Sequence, residues 1–196
     1  GDLKSAYDLD ADPTIRHWPA ERASLAYILF TSGSTGNPKG VPIRNSELEA
    51  YLLATGPLVD ARPGDRFSQT FELTFDLSVH DLFVCWENGA TLVVASEKEL
   101  RMPAAYIQRH GITCWFSVPS LAYQVRLQED LRPGAFPSLR LSLFCGEALP
   151  TVVATEWADA ASNSRVENWY GPTEATIACS RYALSDEAID DDTVPI

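Results

Sequence analysis

The sequence predicts an α/β fold with a mostly parallel sheet flanked by helices. Two observations support this prediction. Short, nearly continuous apolar runs alternate with longer segments of helical pattern from residue 25 to residue 170, and such alternation is typical of parallel α/β sheets. The composition, with 45% hydrophobic and 21% charged residues among 196, is that of a soluble globular protein with an apolar core.

Apolar runs, caps and helix breakers define the predicted elements in chain order. The predicted strands cover 25–31, 67–71, 91–95, 112–118, 139–144 and 166–170, and the predicted helices cover 46–55, 78–88, 103–110, 120–131 and 150–161. We expect Asn45 to cap the first helix, Gly56 and Pro57 to end it, and Ser120 to cap the fourth. The polar, proline-containing residues 1–24 are predicted to form a lead-in segment.

The net charge and the cysteines limit the partners and the compartment. Acidic residues outnumber basic ones by 27 to 15, for a formal charge of -12, which disfavours nucleic acids and anionic membranes as partners. The four cysteines form no CxxC pair, and three lie in apolar runs, which indicates buried free thiols and a reducing, cytoplasmic location. Neither a signal peptide nor a membrane-spanning run is expected.

A stretch rich in glycine and hydroxyl side chains, LFTSGSTGNPKG at residues 29–40, follows the first predicted strand. Gly33, Gly36 and Gly40 permit the curled backbone that points several amides at one phosphate, and Lys39 adds a positive charge. The stretch is neither a Walker A loop nor a GxGxxG loop. A polar, mobile connection has the same composition, so this stretch alone leaves both interpretations open.

Three further polar stretches interrupt the apolar pattern at the ends of predicted strands or just beyond them. They are FDLS at 75–78, FCGEAL at 144–149 and NWYGPTE at 168–174. The carboxyl ends of parallel strands lie along one edge of a sheet, which is where α/β proteins bind ligands. We therefore expect the four stretches to line one crevice.

The motifs YILFTSGSTGNPKGV, FDLS and NWYGPTEAT resemble the signature motifs of the adenylate-forming (AMP-binding) ligases, a family that includes acyl- and aryl-CoA synthetases, luciferases and the adenylation domains of nonribosomal peptide synthetases. FDLSVHDLF, VPSL and FCGEALP are similar to the amino-acid-activating branch, which includes D-alanine–carrier protein ligases. The resemblance implies that residues 25–196 form part of the large N-terminal adenylation core, without the small C-terminal subdomain. Activity of this piece alone is not expected.

The resemblance also implies a reaction and the residues that perform it. A small amino acid would be activated by ATP and Mg2+ as an aminoacyl-adenylate, for transfer to the phosphopantetheine thiol of a carrier protein. The implied catalytic residues are Lys39, Thr173 and Glu174, with Thr173 donating to the α-phosphate and Glu174 ligating Mg2+. Residues implied to bind ATP are Thr31, Ser32, Gly33, Ser34, Thr35 and Gly36 at the phosphates, and Gly146, Glu147, Asn168, Tyr170, Gly171 and Thr173 around the rest of the nucleotide.

Glu174, and the aspartate of the FDLS stretch, Asp76, each have an alternative structural role. Glu174 could be a carboxylate that the helix dipole favours at a helix N-terminus. Asp76 could cap the helix predicted to begin near Ser78. In the amino-acid-activating branch, however, the aspartate of FDLS pairs with the substrate ammonium, and acyl- and aryl-activating members commonly lack it.

The substrate side chain has its own implied pocket. The matching positions are Leu77, His80, Leu143, Cys145, Trp169 and Ile177. Trp169 and His80 are bulky, which predicts a crowded pocket and a small substrate such as glycine, alanine or serine. Cys145 matches a cysteine that D-alanine ligases place beside the substrate, although a plain core residue would fit equally, and chirality stays open.

Two other functions stay open from the sequence. One is the core of a CoA ligase for another small acid, against which Asp76 argues. The other is a non-catalytic nucleotide-binding module, against which the retained Thr173 and Glu174 argue.

Overall fold

The computed structural model describes residues 21–32, 37–185 and 189–196. The strands are β1 (Leu25–Thr31), β2 (Lys39–Arg44), β3 (Arg66–Gln69), β4 (Thr91–Val94), β5 (Cys114–Ser117), β6 (Leu141–Phe144), β7 (Arg165–Tyr170) and β8 (Ser180–Ala183). The helices are α1 (Asn45–Val59), α2 (Leu77–Glu87), α3 (Glu97–Leu100), α4 (Pro103–His110), α5 (Pro119–Leu127) and α6 (Thr151–Ala160), with a short 3-10 helix at Thr173–Ala175. Most of the predicted lead-in segment, residues 1–20, lies outside the described residues, and so do Gly33, Ser34, Thr35 and Gly36.

Six strands form one sheet in the order β4-β3-β5-β6-β7-β8. Neighbouring strands are parallel except at one edge, where β8 runs antiparallel to β7. The central strands β5 and β6 are buried along their whole length, and strands buried on both faces have continuous apolar sequences instead of alternating ones. The predicted α/β fold with a mostly parallel sheet is confirmed.

Helices cover both faces of this sheet. On one face, α4, α5 and α6 pack around a core that includes Ile107, Trp115 and Trp157. On the other face, α1 and α2 pack around a second core that includes Leu77 and Trp169. The predicted substrate pocket therefore lies between the sheet and the α1–α2 layer. The cysteines in the apolar runs, Cys85, Cys114 and Cys145, are buried free thiols as predicted.

The first predicted strand has the expected bounds but a different position. β1 pairs antiparallel with β2 in a separate hairpin, in which Thr31 lies opposite Lys39. No residue of β1 is fully buried, and Phe30 is 70% exposed, so the prediction of a buried strand here is wrong. A short apolar run cannot by itself distinguish a buried strand from a partly covered hairpin strand. β2 was not predicted because Gly40 and Pro42 obscure its pattern.

The predicted end of the first helix is also wrong. α1 continues through Gly56 and Pro57 to Val59. Val59 is fully buried, and burying such a side chain contributes about 1.5–3 kcal/mol, which offsets the hydrogen bond that Pro57 cannot donate. At the other end, Arg44 and not Asn45 occupies the cap position.

Ser120 does not cap α5, which begins one residue earlier at Pro119. Proline is favoured at the first helical position, because its missing N–H would have no partner there. The Ser120 N–H donates at 2.8 Å to the carboxylate of Glu147, which lies in the loop after β6. The helix is therefore capped by a residue distant in sequence.

Candidate functional site

Asp76 lies in the connection between β3 and α2, and its carboxylate is almost completely buried. It occupies the N-cap position of α2, as the alternative role predicts, but its side chain makes no capping hydrogen bond to that helix. Burial raises the pKa of this carboxyl, and hydrogen bonds from the Thr173 hydroxyl and from nearby backbone N–H groups, among them that of Ile177, act in the opposite direction. Its Oδ2 atom has no hydrogen-bond partner within the described residues. One buried oxygen atom is thus available to a further hydrogen-bond donor.

The loop after β7 brings Ile177 to Asp76 through a strained turn. Thr176 and Ile177 have φ angles of 61° and 72°, in a region that residues with a side chain rarely adopt. Gly171 begins the turn, and a Cβ atom there would lie 2.5 Å from the Cα atom of Ala178. Only glycine therefore allows the chain to fold back this closely. Strained backbone of this kind is common at binding sites.

Three aromatic rings pack together one helical turn beyond Asp76. The ring centroids lie 4.9 Å apart for His80 and Phe116, 5.5 Å for His80 and Trp169, and 6.2 Å for Phe116 and Trp169. The contacts are edge to face, which is a favourable arrangement for aromatic rings, and all three side chains are buried. The crowding expected from His80 and Trp169 is present, and Phe116 adds to it.

A buried hydroxyl fixes the imidazole of His80. The Tyr51 hydroxyl oxygen lies 2.7 Å from His80 Nδ1. Burial lowers the pKa of His80 to about 3, so its ring is neutral at pH 7. Burial also raises the pKa of Tyr51, which therefore keeps its proton. This uncharged pair suits the wall of an apolar pocket, because neither group exchanges protons near neutral pH.

A buried carboxylate fixes the indole of Trp169. The indole N–H donates to Glu167 Oε2 at 2.7 Å. Arg165 and Arg181 form ion pairs with the other oxygen of Glu167, which has no exposed surface. Since Glu167 and Trp169 lie two residues apart on β7, their side chains point to the same face of the sheet.

The other predicted pocket residues complete the same wall. They belong, with Trp169, to one buried cluster: Leu77, Leu143, Cys145 and Ile177. The contact between His80 and Trp169 joins His80 to that cluster. Burial raises the pKa of Cys145 to about 12, so its thiol stays protonated and acts as a small apolar group. The structure thus brings together all of the predicted pocket residues and Asp76.

Two residues at the end of β7 offer different surfaces to a nucleotide. The Tyr170 ring is 48% exposed and can stack on a planar ligand. Asn168 is buried, and its amide nitrogen donates to the carbonyl oxygens of Val194 at 3.2 Å and Pro195 at 2.9 Å. Its Oδ1 atom has no partner within the described range. A buried acceptor without a partner fits a ligand donor such as an exocyclic amino group.

Gly146 and Glu147, in the loop after β6, have separate roles in the fold. Gly146 has a φ of 94°, a conformation that favours glycine. Glu147 uses its carboxylate to accept hydrogen bonds from the N–H and hydroxyl of Ser120. The backbone of Glu147 is therefore the part left for the ATP contact that the sequence predicts there.

The β1–β2 hairpin carries the described part of the predicted phosphate loop, namely Thr31, Ser32 and Lys39. β2 lies against the 3-10 helix that contains Thr173 and Glu174. Glu174 is exposed, and one carboxylate together with phosphate oxygens and water is a set of ligands that suits Mg2+. Elsewhere in the described residues, no group of three or more His, Cys, Asp or Glu side chains forms a metal site.

Three residues of the site were missed from the sequence. Phe116 lies in an apolar run in which every residue resembles core, and Tyr51 lies in a helix without a distinctive motif. Glu167 had a usable signal, because residues two apart on a strand share a face and Glu167 precedes Trp169 by two. Among the described residues, no helix is both long enough and apolar enough to span a membrane.

Comparisons with known proteins match this chain to one protein family and to ligases. The profile of the family described as AMP-binding enzyme matches residues 3–195. The D-alanine–D-alanyl carrier protein ligase of Bacillus velezensis is 32% identical over 195 residues, which are 97% of this chain and 39% of that protein. The L-proline–[L-prolyl-carrier protein] ligase of Pseudomonas fluorescens is 35% identical over 185 residues, which are 93% of this chain and 36% of that protein.

Solved structures agree with these matches. The crystal structure of the Vibrio cholerae adenylation domain AlmE in complex with glycyl-adenosine-5'-phosphate matches with a TM-score of 0.85 and 40% identity, over 89% of this chain and 33% of that one. The crystal structure of IdnL7 matches with a TM-score of 0.83 and 39% identity, over 89% of this chain and 36% of that one. The chain therefore spans between 33% and 39% of the length of these proteins.

Proposed function

The chain belongs to the AMP-binding enzyme family, and from this membership we propose that it forms the substrate-activating core of an amino-acid adenylating ligase. In the proposed reaction, a carboxylate oxygen of a small amino acid attacks the α-phosphorus of ATP. The bond between that phosphorus and the bridging oxygen of the pyrophosphate group breaks, which yields an aminoacyl-adenylate and pyrophosphate.

The observation that carries this proposal is the state of Asp76. A buried carboxylate is costly without a cationic partner, and its Oδ2 atom has no partner in the described structure. The α-ammonium group of an amino acid would supply both the positive charge and the hydrogen bond. Thr173 and Ile177 hold the carboxylate in place, so the ammonium would meet a preorganised acceptor.

The aromatic rings of His80, Phe116 and Trp169 support a small side chain on that amino acid. These rings are buried and in mutual contact, which leaves little room beyond the α-carbon. The similarity to an adenylation domain that binds glycyl-adenosine-5'-phosphate points the same way, as does the similarity to ligases of D-alanine. Glycine and D-alanine are accordingly the first candidates.

Residues on the adenine side support ATP as the co-substrate. The exposed ring of Tyr170 would stack on adenine, and the free Oδ1 of Asn168 would accept from its amino group. Gly146, the Glu147 backbone and Gly171 would border the nucleotide.

Residues of the hairpin and the 3-10 helix would act on the phosphates. Thr31, Ser32 and Lys39 would hold the leaving pyrophosphate. The Thr173 hydroxyl, which donates to Asp76 in the free protein, would donate to the α-phosphate once the substrate ammonium pairs with Asp76. Glu174 would hold Mg2+, which neutralises negative charge on the phosphate oxygens during the transfer.

The names of the relatives support a carrier protein as the acceptor, since both curated ligases act on carrier proteins. The acyl group would pass from the adenylate to the thiol of a phosphopantetheine arm, with AMP as the leaving group. A CoA ligase would use the same activating core and a different thiol.

ATP–pyrophosphate exchange tests the activation step directly. Because the chain spans only a part of its relatives, we would use the full-length protein that carries these residues, with glycine, both alanine enantiomers, serine and larger amino acids. Exchange should depend on a small amino acid and should not occur with acetate or propionate. Exchange driven equally by acids without an amino group would contradict the role of Asp76, and no exchange with any acid would contradict the proposed activity. Product analysis with a carrier protein and with CoA then distinguishes the two acceptors.

A further inference from the structure

The buried carboxylate of Glu167 has no role in the proposed chemistry, yet it is tightly bound on every side. It accepts the indole N–H of Trp169 on one oxygen, and Arg165 and Arg181 pair with the other. Both arginine side chains are partly exposed, at 46% and 40%, whereas Glu167 has no exposed surface. The two cations balance the buried charge, and the remaining oxygen is left for the indole.

The Trp169 ring borders a cleft that could receive part of it. A cleft of about 380 Å³ adjoins it on the side of α1 and β8, lined in part by Ala54, Leu58 and Ala178. These three side chains are apolar, and the rest of the lining includes Thr55, Cys179, Ser180 and Arg181. The apolar part of the cleft could receive part of an indole ring. The ring packs against His80 and Phe116, and the cleft offers it a second candidate position. The hydrogen bond to Glu167 favours the first position.

We propose that Glu167 is a positioning residue for substrate specificity: its hydrogen bond holds the Trp169 indole in the side-chain pocket and so sets the upper size limit of the amino acid. This inference rests on the proposed function, because it assumes that the pocket beyond Asp76 receives the substrate side chain. Without the bond, the indole turns towards the cleft and frees space beside His80. The protein then accepts larger amino acids.

Four variants of the full-length protein separate this role from a general loss of stability. Glu167→Leu removes the acceptor, and Glu167→Gln keeps an acceptor for the indole while losing the charge. Trp169→Phe keeps an aromatic ring and removes the N–H donor. Glu156→Leu is the matched control, since Glu156 also pairs with an arginine, Arg126 at 2.9 Å, but between α5 and α6 on the opposite face of the sheet.

The measured quantity is the ratio of kcat/KM for valine to kcat/KM for glycine in ATP–pyrophosphate exchange. Glu167→Leu should raise this ratio at least about tenfold, the smallest discrimination that one methylene group gives. Trp169→Phe should raise it to a similar extent, and the double variant should rise no further, because both changes break the same bond. Glu167→Gln and Glu156→Leu should keep the ratio of the unmodified protein.

A second readout needs no activity. The indole N–H resonance of Trp169 is identified by its loss in Trp169→Phe, and its hydrogen exchange should be faster in Glu167→Leu but not in Glu156→Leu. An unchanged ratio in a folded Glu167→Leu protein with a released indole would overturn the proposal. An equal rise in Glu167→Gln would overturn it as well, because the arginine pairs would then position the ring. If no amino acid supports exchange in the unmodified protein, the proposed function fails, while the resonance still decides whether Glu167 holds the ring.

Discussion

Asp76→Asn changes the charge at the proposed ammonium site and almost nothing else. The asparagine side chain has the same shape, and its oxygen can still accept from the Thr173 hydroxyl and the Ile177 N–H. Its amide NH2 group would replace Oδ2, which is the atom without a partner in the described structure. A substrate ammonium would then meet a donor where it needs an acceptor.

The expected loss follows from the burial of the carboxylate, which is 8% exposed. Removing one partner of a buried ion pair costs about 3–5 kcal/mol, because the other charge is left without compensation. Each 1.36 kcal/mol is a factor of ten in rate, so kcat/KM for the amino acid should fall by roughly two to four orders of magnitude.

The assay is ATP–pyrophosphate exchange with glycine and with glycolate, in which a hydroxyl group replaces the ammonium. The unmodified protein should prefer glycine by a factor similar to the predicted loss, and Asp76→Asn should remove most of that preference. Asp159→Asn, an exposed change on α6, serves as the control and should behave as the unmodified protein. A value of kcat/KM for glycine within threefold of the unmodified protein would refute the ion pair with the ammonium.

The pH dependence adds a check with a definite sign. Burial raises the pKa of Asp76, so the protonated form is favoured in the fold and the ionised form binds the ammonium. In the unmodified protein, kcat/KM for glycine should rise with pH through that raised pKa, and Asp76→Asn should lack this rise. The same shift means that the ionised carboxylate destabilises the free protein above its unfolded pKa of about 3.9. Asp76→Asn should therefore have a higher Tm at pH 7 while being far less active.

Two further predictions concern the backbone and the core. Gly171→Ala should lower the free energy of unfolding by about 1–3 kcal/mol, because the new Cβ atom would lie 2.5 Å from Ala178 Cα. The control is Gly64→Ala, whose new Cβ atom would have nothing within 4 Å and should change Tm little. Equal effects of the two substitutions in thermal unfolding would contradict the close approach at Gly171. Asp81 is fully buried, burial raises its pKa, and neither oxygen has a partner in the described structure. Its ionisation should therefore cost up to about 1.4 kcal/mol of stability per pH unit above its unfolded pKa of about 3.9. The Tm of Asp81→Asn should accordingly rise relative to that of the unmodified protein between pH 5 and pH 8. A constant difference in Tm would indicate an undetected partner for the carboxylate.

The sequence predicted the main sheet well because its strands are buried on both faces. Runs such as ITCWFS and LSLF contain no charged residue, and glycines follow the helices 78–88 and 103–110. The hairpin of β1 and β2 could not be predicted from the sequence. Its first strand is as apolar as a core strand, and only its antiparallel pairing shows that it lies outside the sheet. The extra turn of α1 depends on the burial of Val59, which no local rule about Gly56 and Pro57 contains.

The candidate site was likewise predictable only in part: its proposed ligand-contacting groups were predicted, and the contacts that orient them were not. Motifs identified the groups proposed to touch the ligand, such as Asp76 and Asn168, and one buried acceptor atom on each has no partner among the residues that the structure describes. The geometry that turns these atoms inward depends on long-range contacts. Asn168 is oriented by carbonyl groups of residues 194 and 195, and Asp76 is held by a loop almost a hundred residues further along the chain.

In the proposed function, substrate size would depend on two layers of residues, of which the sequence revealed only the first. Trp169 and His80 are the residues proposed to line the pocket, and their bulk can be recognised from the sequence. Whether that bulk excludes a substrate depends on Glu167 and Tyr51 behind them, because an aromatic ring that can turn away leaves its space free. Two proteins with identical pocket residues can then differ in selectivity if their second layers differ. For this protein, a change of specificity should therefore be sought at Glu167 as well as at Trp169.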